Sequence, residues 1–119
     1  MTAPSSLRVV VHGAAGRMGR RVVAAAAADA RIDVVAAIDA AGCPHLGEDA
    51  GTLAGLGSLG VPVTVDWDGP ADVIIDFSLP GAVASIARKA VERKVPLVVA
   101  TTGMDTTDLY EVEKARQSI

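Results

Sequence analysis

The chain has 119 residues and a formal net charge of −3, which limits it to one domain with one layered core. Half of its residues are hydrophobic but only 3% are aromatic, so the core is built from Ala, Val, Ile and Leu, which favours an α/β fold over an all-β sandwich. The 11 basic residues are spread along the chain and do not form the positive cluster typical of proteins that bind nucleic acid or an anionic membrane surface, so these two classes are excluded. No apolar stretch approaches the roughly 20 residues needed to cross a bilayer.

The N-terminal pattern and the single cysteine indicate where the protein resides. Residues 1–6 have neither the basic start nor the apolar segment of a signal peptide, and we expect them to form a disordered leader. Cys43 has no second cysteine to pair with, and together with His45 it offers too few ligands for a metal site. These features predict a cytoplasmic protein without a disulfide or a metal.

A glycine-rich loop between a strand and a helix is the most informative feature of the chain. A strand is predicted from Leu7 to His12 and is expected to be buried, because its apolar residues are continuous and do not alternate with polar ones, and an Ala-rich helix is predicted from Gly16 to about Asp29. Between them stands Gly-Ala-Ala-Gly-Arg-Met-Gly at 13–19, whose glycines permit a sharp turn. Because the first N–H groups of a helix have no partner within it, such a loop predicts a site for a phosphate anion. The helix residues predicted to face the sheet are Met18, Val22 and Ala26.

A second apolar strand is predicted from Ile32 to Asp39, and its last residue adds a carboxylate to the site. Asp39 lies 20 positions after Gly19, where a nucleotide-binding βαβ unit places an acid that accepts hydrogen bonds from the adenosine ribose. A helix cap and a solvated strand end are the alternatives. Because Asp39 repels a 2′-phosphate and the next two residues, both alanine, supply no cation, we expect NADH to be favoured over NADPH. The guanidinium of Arg17 is the opposing feature.

The remainder of the chain alternates strands and helices after one irregular stretch. Residues 40–59 contain repeated glycines and are predicted to be a mobile surface excursion, with a short helical turn at Asp49–Leu53. Further strands are predicted at 61–66, 72–77 and 96–100, and further helices at 80–94 and 109–119. The alternation predicts a doubly wound, Rossmann-type parallel sheet flanked by helices, in which ligands sit beyond the carboxyl ends of the strands.

Three short motifs, in this order and at this spacing, resemble those of one enzyme family. They are Gly-Ala-Ala-Gly-Arg-Met-Gly at 13–19, Asp-Phe-Ser-x-Pro at 76–80 and Thr-Thr-Gly at 101–103. From residue 7 to residue 119 the chain resembles roughly the first half of a member of the dihydrodipicolinate reductase family. The resemblance implies that NADH or NADPH reduces a cyclic imine, 4-hydroxy-tetrahydrodipicolinate, to tetrahydrodipicolinate in the diaminopimelate and lysine route.

The resemblance also implies roles for individual residues of a cofactor site. The residues implied to wrap the pyrophosphate are Gly13, Ala14, Ala15, Gly16, Arg17 and Met18. Asp39 would hold the ribose, and Phe77 would border the nicotinamide half, although a lone aromatic at a strand end is equally typical of a core. Ala100, Thr101 and Thr102 would line the nicotinamide pocket, with Thr102 also near the substrate carboxylate. Ala100 stands where the family usually has glycine.

Several residues also have simpler structural interpretations. Arg17, implied to neutralise phosphate charge or to cover the adenosine, would otherwise lie on the helix surface. The Thr101–Gly103 segment is also typical of a turn that leads into a capped helix. His12 is expected to be a packed residue that satisfies its ring nitrogens locally. Trp67 is expected to cover a hydrophobic edge with its indole N–H in water.

Members of the family continue into a second domain, and the motifs of that domain do not follow residue 119. The missing run is His-His-x-x-x-Lys, implied to donate the proton and to bind the small dicarboxylate substrate, and the family homotetramer forms through the same domain. We therefore expect no catalytic residue in this chain, cofactor binding with little turnover, and self-association through an uncovered sheet edge. The alternative functions are a non-catalytic NAD(P)-sensing module and the N-terminal domain of an aspartate or homoserine dehydrogenase.

Overall fold

A computed structural model describes residues 6–79, 81–100, 109 and 112–114 of the chain. The strands are β1 (Leu7–His12), β2 (Ile32–Ile38), β3 (Val63–Thr64), β4 (Val73–Asp76) and β5 (Leu97–Val99), and the helices are α1 (Arg17–Ala27), α2 (Ala50–Leu53) and α3 (Val83–Arg93). Leu109 and residues 112–114 are also helical, as predicted. Each predicted strand is therefore present, and the predicted site residues Thr101 and Thr102 lie outside the described residues.

The strands form one five-stranded sheet in the order β3-β2-β1-β4-β5, and every neighbouring pair is parallel. Val9 of β1 lies opposite Val34 of β2 on one side and Val73 of β4 on the other. Because the chain winds outward from β1 in one direction and then returns to continue in the other, the sheet is doubly wound, as predicted. The switch point lies between β1 and β4, where sheets of this kind hold ligands.

Helices cover both faces of the sheet, which explains why its strands are apolar without alternation. Successive side chains of β1 point to opposite faces. Val9 and Val11 pack in a cluster with residues of α1 and α2, whereas Val10 packs with Ile74 and residues of α3. These four side chains are at most 1% exposed. None of the described helices combines the length and the hydropathy that crossing a membrane requires.

Helix α1 presents a different face to the sheet from the one predicted. Its buried residues are Gly19, Val23 and Ala26. Met18 is 47% exposed, so the prediction was wrong for this residue, whereas Val22 is partly buried and packs against the core, and Ala26 is buried as predicted. A Cβ on Gly19 would collide with the carbonyl oxygen of Gly13, so the helix approaches the preceding loop at the position that carries no side chain. The observed face therefore includes Gly19 and Val23 in addition to Val22 and Ala26, and does not include Met18.

The irregular stretch at 40–59 is organised around the carboxylate of Asp49. This carboxylate accepts hydrogen bonds from the backbone N–H groups of Thr52 (3.0 Å), Leu59 (2.9 Å) and Val61 (2.9 Å). The bond from Leu59, together with those from Thr52 and Val61, lowers the pKa of Asp49 to about 2. The first residue of α2 is 2% exposed and packs in the core. The predicted helical turn is confirmed, but the segment is more than a surface excursion, because it contributes to the core.

Strand β3 is shorter than the predicted 61–66, because β2 offers it a short edge for pairing. Val63 pairs with Ala37 and Thr64 pairs with Ile38, the last residue of β2. Residues after Thr64 therefore have no strand to pair with. For the other predicted elements up to residue 100, the boundaries differ from the observed ones by a few residues at most.

The side chain of Trp67 is buried rather than placed at a wet edge. It is 5% exposed, and its Nε1 is buried without a hydrogen-bond partner in the described part of the chain. The guanidinium carbon of Arg93 lies 4.8 Å from the centre of the indole ring. The expectation that the indole N–H is in water was wrong, because the α3 side chains cover this ring.

Candidate functional site

Loops at the carboxyl ends of β1, β2 and β4 surround a cleft of about 380 Å³. The predicted cofactor residues that line it are Gly13, Ala15, Gly16, Asp39 and Phe77. Among the other predicted residues, Ala14 is buried, Met18 is exposed, and Arg17 lines a separate depression beside α1. Ala100 is exposed after β5 and donates its N–H to the carbonyl of Asp76 at 2.9 Å. The structure thus brings together the predicted residues from three different strand ends.

The loop after β1 turns sharply because Gly13 adopts a positive φ of 82°. The N–H groups of Gly13 and Ala14 both donate to the carbonyl of Ile38, at 2.8 and 3.1 Å, which ties the loop to the end of β2. The first helical bond of α1 runs from the N–H of Arg20 to the carbonyl of Gly16. The N–H groups before Arg20 in this first turn have no acceptor within the helix, so they are available to an anion at the positive end of the helix dipole.

The carboxylate of Asp39 connects the end of β2 with the glycine loop. Its Oδ2 accepts the N–H of Ala15 at 2.9 Å, and its Oδ1 accepts the N–H of Ala40 at 2.8 Å. The two oxygens of a carboxylate offer about four acceptor positions, so capacity remains for the hydroxyl groups of a ligand. Asp39 is half-buried, which leaves its side chain partly accessible from the cleft it lines.

Three arginines of α1 lie next to the glycine loop, around a second depression of about 570 Å³. These residues are Arg17, Arg20 and Arg21. Arg20 donates from Nε to the carbonyl of Ala15 at 2.8 Å, so its guanidinium is fixed against the loop. This group of cations creates positive potential close to the cleft but on the other side of the loop residue Ala15, which lines both cavities.

A hydrogen-bonded chain that the sequence analysis missed holds the wall of the cleft after β2. Arg20 donates from Nη2 to Nε2 of His45 at 3.3 Å. Because arginine is only a donor, the ring proton of His45 is on Nδ1, which lies 2.8 Å from Oε2 of Glu48. Cys43 and His45 line the cleft, but among the described residues no three His, Cys, Asp or Glu side chains are placed to hold a metal ion.

Beneath the cleft, His12 and Asp76 form a buried pair that joins the ends of β1 and β4. Their side chains are 11% and 0% exposed, and Nδ1 of His12 lies 2.7 Å from Oδ1 of Asp76. The prediction that His12 is packed and satisfied locally is confirmed for Nδ1, but its partner was not identified from the sequence. Each residue is the polar end of a buried apolar run, and that shared feature of two parallel strands could have paired them.

Comparison with known proteins places this fold and cleft in a family. The model for the N-terminal part of dihydrodipicolinate reductase matches residues 7–119. The chain belongs to the dihydrodipicolinate reductase family. It is 44% identical over 123 residues to 4-hydroxy-tetrahydrodipicolinate reductase of Rhodopirellula baltica, with 99% of this chain and 43% of that protein covered. The enzyme of the same name from Halorhodospira halophila is 39% identical, with coverages of 96% and 44%. The chain therefore spans less than half the length of these relatives.

Solved structures of similar fold include another reductase and a sugar-alcohol dehydrogenase. A dihydrodipicolinate reductase from a Paenisporosarcina species, solved with dipicolinate bound, has a TM-score of 0.68 at 23% identity and covers 92% of this chain and 43% of its own. A myo-inositol dehydrogenase from Corynebacterium glutamicum has a TM-score of 0.66 at 24% identity, with coverages of 95% and 32%. At these identities the likeness establishes the fold, which agrees with the predicted Rossmann-type architecture.

Proposed function

We propose that this chain forms the dinucleotide-binding part of an NAD(P)H-dependent reductase that acts on 4-hydroxy-tetrahydrodipicolinate. Membership of the family and the names of the relatives support the reaction. The observation that carries the proposal is the contact between Asp39 and Ala15, because it joins a phosphate-type loop and a ribose-type acid in one cleft. Both parts of a dinucleotide clamp are thus present on neighbouring strands.

In this proposal the pyrophosphate lies against the loop from Gly13 to Met18. Side chains at Gly13 and Gly19 would collide with backbone atoms of the chain itself, so these glycines allow the loop to pack tightly against Phe77 and α1 to pack tightly against the loop. The unpaired N–H groups of the first turn of α1 would donate to phosphate oxygens, with the helix dipole favouring the negative charge. Arg17, the first residue of α1, would add a positive charge at this end.

The nicotinamide half would lie beyond β4 and β5. Phe77 lines the cleft and would border the ring, and Ala100, Thr101 and Thr102 would follow on the next strand end. The bound cofactor would supply a hydride that, together with a proton, replaces the 4-hydroxyl group of the substrate, which leaves as water, while the residues of this chain hold and orient the cofactor. We also propose that Thr102 approaches a carboxylate of the substrate, a small dicarboxylate.

The acid at the end of β2 supports a preference for NADH over NADPH. A 2′-phosphate would be placed next to the carboxylate of Asp39, and the residue after it, Ala40, is exposed and uncharged. The arginines beside α1, Arg17 among them, act in the opposite direction by attracting phosphate. The balance favours NADH because Asp39 lines the cleft itself, whereas these arginines surround the neighbouring depression.

Titration of the 119-residue chain with both cofactors tests the proposal, with reduced-nicotinamide fluorescence as the readout. We expect NADH to bind at least tenfold more tightly than NADPH, which corresponds to about 1.4 kcal/mol. Asp39→Asn should weaken NADH binding and reduce this discrimination, because it removes the charge that opposes the 2′-phosphate. The matched control is Asp68→Asn, which removes the same charge from a fully exposed side chain after β3.

Two results would contradict different parts of the proposal. Binding of neither dinucleotide at concentrations up to about 1 mM, equivalent to about −4.1 kcal/mol, would overturn the assignment of a cofactor site. Binding of NADPH at least tenfold more tightly than NADH would overturn only the preference, and would show that the arginines beside α1 dominate.

A further inference from the structure

The pair of His12 and Asp76 connects two segments that line the cleft, the glycine loop after β1 and the segment after β4, which form two of its walls. His12 directly precedes Gly13, and Asp76 directly precedes Phe77. The Asp76 oxygen that contacts His12 also accepts the N–H of Ser78, at 3.1 Å. Since a carboxylate has no proton to give, the Nδ1–H of His12 is the donor in this pair. The start of the glycine loop is thus linked through two side chains to the backbone of the wall after β4.

The two walls approach so closely that small changes in their spacing alter the cleft. The N–H of Phe77 donates to the carbonyl of His12 at 2.9 Å. A Cβ on Gly13 would lie 2.6 Å from the carbonyl oxygen of Phe77. A binding site holds its geometry only when its residues stay within about 0.5 Å of their places. A contact that fixes the spacing of these walls therefore also fixes the geometry of the site.

Stability alone explains this pair poorly. The residues before it in the two strands are apolar, and Val11 and Ile74 are fully buried. Replacing both partners of a buried hydrogen bond by packed apolar side chains is often neutral or stabilising, whereas removing one partner leaves a buried polar group unsatisfied. A buried polar pair is better explained by a role in specifying one arrangement of the backbone around it. This pair lies at the switch point of the sheet, where such an arrangement defines the cleft.

We propose that His12 is a positioning residue of the dinucleotide site, acting through Asp76 on the wall that carries Phe77 and Ser78. The inference rests on the proposed function. The ring of His12 orients the Asp76 carboxylate, and the carboxylate holds the N–H of Ser78. Neither of the two side chains is among the residues that line the cleft. Their effect on the ligand is therefore exerted through the position of the backbone.

Three substitutions of His12 test the position of its donor. His12→Asn places an amide nitrogen near the position of Nδ1 and keeps the bond to Asp76, whereas His12→Gln places it near Nε2. His12→Leu removes the donor and keeps an apolar side chain of moderate size. We expect the leucine and glutamine variants to weaken NADH binding at least tenfold, and the asparagine variant to stay within threefold of the parent chain.

A matched control separates positioning from general stability. Val9→Ala creates a cavity in the middle of β1, where Val9 is 1% exposed, without touching the pair. Urea unfolding gives the stability of each variant, and NADH titration is carried out where all are folded. If His12 positions the site, His12→Leu should bind NADH more weakly than Val9→Ala when the two variants have comparable urea midpoints. Equal losses of affinity at equal stability would overturn the inference.

Amide hydrogen exchange without a ligand provides a readout that does not depend on the proposed function. In His12→Leu and His12→Gln, the exchange rate of the Ser78 amide should rise at least tenfold more than the rates of buried core amides. In His12→Asn, the Ser78 rate should stay close to that of the parent chain. Unchanged exchange at Ser78 overturns the inference whether or not the chain binds NADH. Altered exchange at Ser78 with NADH affinity within threefold of the parent also overturns it. If His12→Leu does not fold, the contrast between asparagine and glutamine decides.

Discussion

Gly13 gives the sharpest prediction, because both its backbone angle and its surroundings exclude a side chain. Its φ is 82°, and a Cβ would lie 2.6 Å from the carbonyl oxygen and 2.7 Å from the carbonyl carbon of Phe77. These are backbone atoms, which have no rotamer to change. A non-glycine residue with left-handed backbone costs about 1–2 kcal/mol, and overpacking costs about 1–3 kcal/mol. Gly13→Ala should therefore lower the free energy of unfolding by about 2–5 kcal/mol.

The matched substitution is Gly16→Ala, three residues further along the same loop. Gly16 has a φ of −73°, and its Cβ would lie 3.3 Å from the carbonyl of Gly13, so only a small adjustment is needed. As an N-cap residue, it should cost less than about 1 kcal/mol when changed to alanine. Urea unfolding measures both variants, and with a slope of about 2 kcal/mol/M the midpoint of Gly13→Ala should fall by about 1 M or more.

The contrast between the two variants decides whether the reasoning is right. We expect Gly13→Ala also to abolish NADH binding under conditions where it is folded, since the walls of the cleft must separate to admit the methyl group. Equal and small losses of stability for Gly13→Ala and Gly16→Ala would refute the argument. So would unchanged NADH affinity for folded Gly13→Ala, because the close approach to Phe77 would then not define the cleft.

Two further predictions concern parts of the fold outside the cleft. The pKa of Asp49 is lowered from 3.8 to about 2, so its stabilising contribution is complete above about pH 4 and is lost as the pH falls through about 2. Asp49→Asn should destabilise the chain at pH 7 and should reduce the dependence of its stability on pH between pH 2 and 4. Urea midpoints measured over this range test the prediction, and the same pH dependence in the variant and the parent chain would contradict it. Trp67 is the single tryptophan and Arg93 covers its ring, so Arg93→Ala should shift its fluorescence emission to longer wavelength while Arg93→Met should not. An identical spectrum for Arg93→Ala would show that the cover is absent in solution.

The strands and the glycine loop were predictable because local sequence determines them. Continuous apolar runs fixed β1, β2 and β4, and the requirement for glycine in a sharp turn fixed the loop at 13–19. Asp39 was predictable from its distance along the chain, since a βαβ unit returns to the same edge of the sheet. Family motifs placed Phe77 at the cleft, which composition and periodicity alone left undecided.

The remaining features depend on which residues meet in space, and sequence patterns do not contain that information. The burial of Gly19 in α1 depends on its close approach to Gly13, which helical periodicity cannot detect. Asp49 organises its segment through backbone N–H groups up to Val61, a pattern without a sequence signature. The pair of His12 and Asp76 joins residues separated by 64 positions.

The same separation has a consequence for how the chain folds. β1 pairs with β2 after a short connection through α1. β1 pairs with β4 only by closing a much longer connection, which also includes α2 and β3. The contact between Gly13 and the wall at Phe77 therefore carries a larger loop-closure cost than the contacts within the unit of β1, α1 and β2. Because only the finished sheet offers both walls to a ligand, a nucleotide bound in the cleft would stabilise the complete sheet relative to forms in which β4 is not paired with β1.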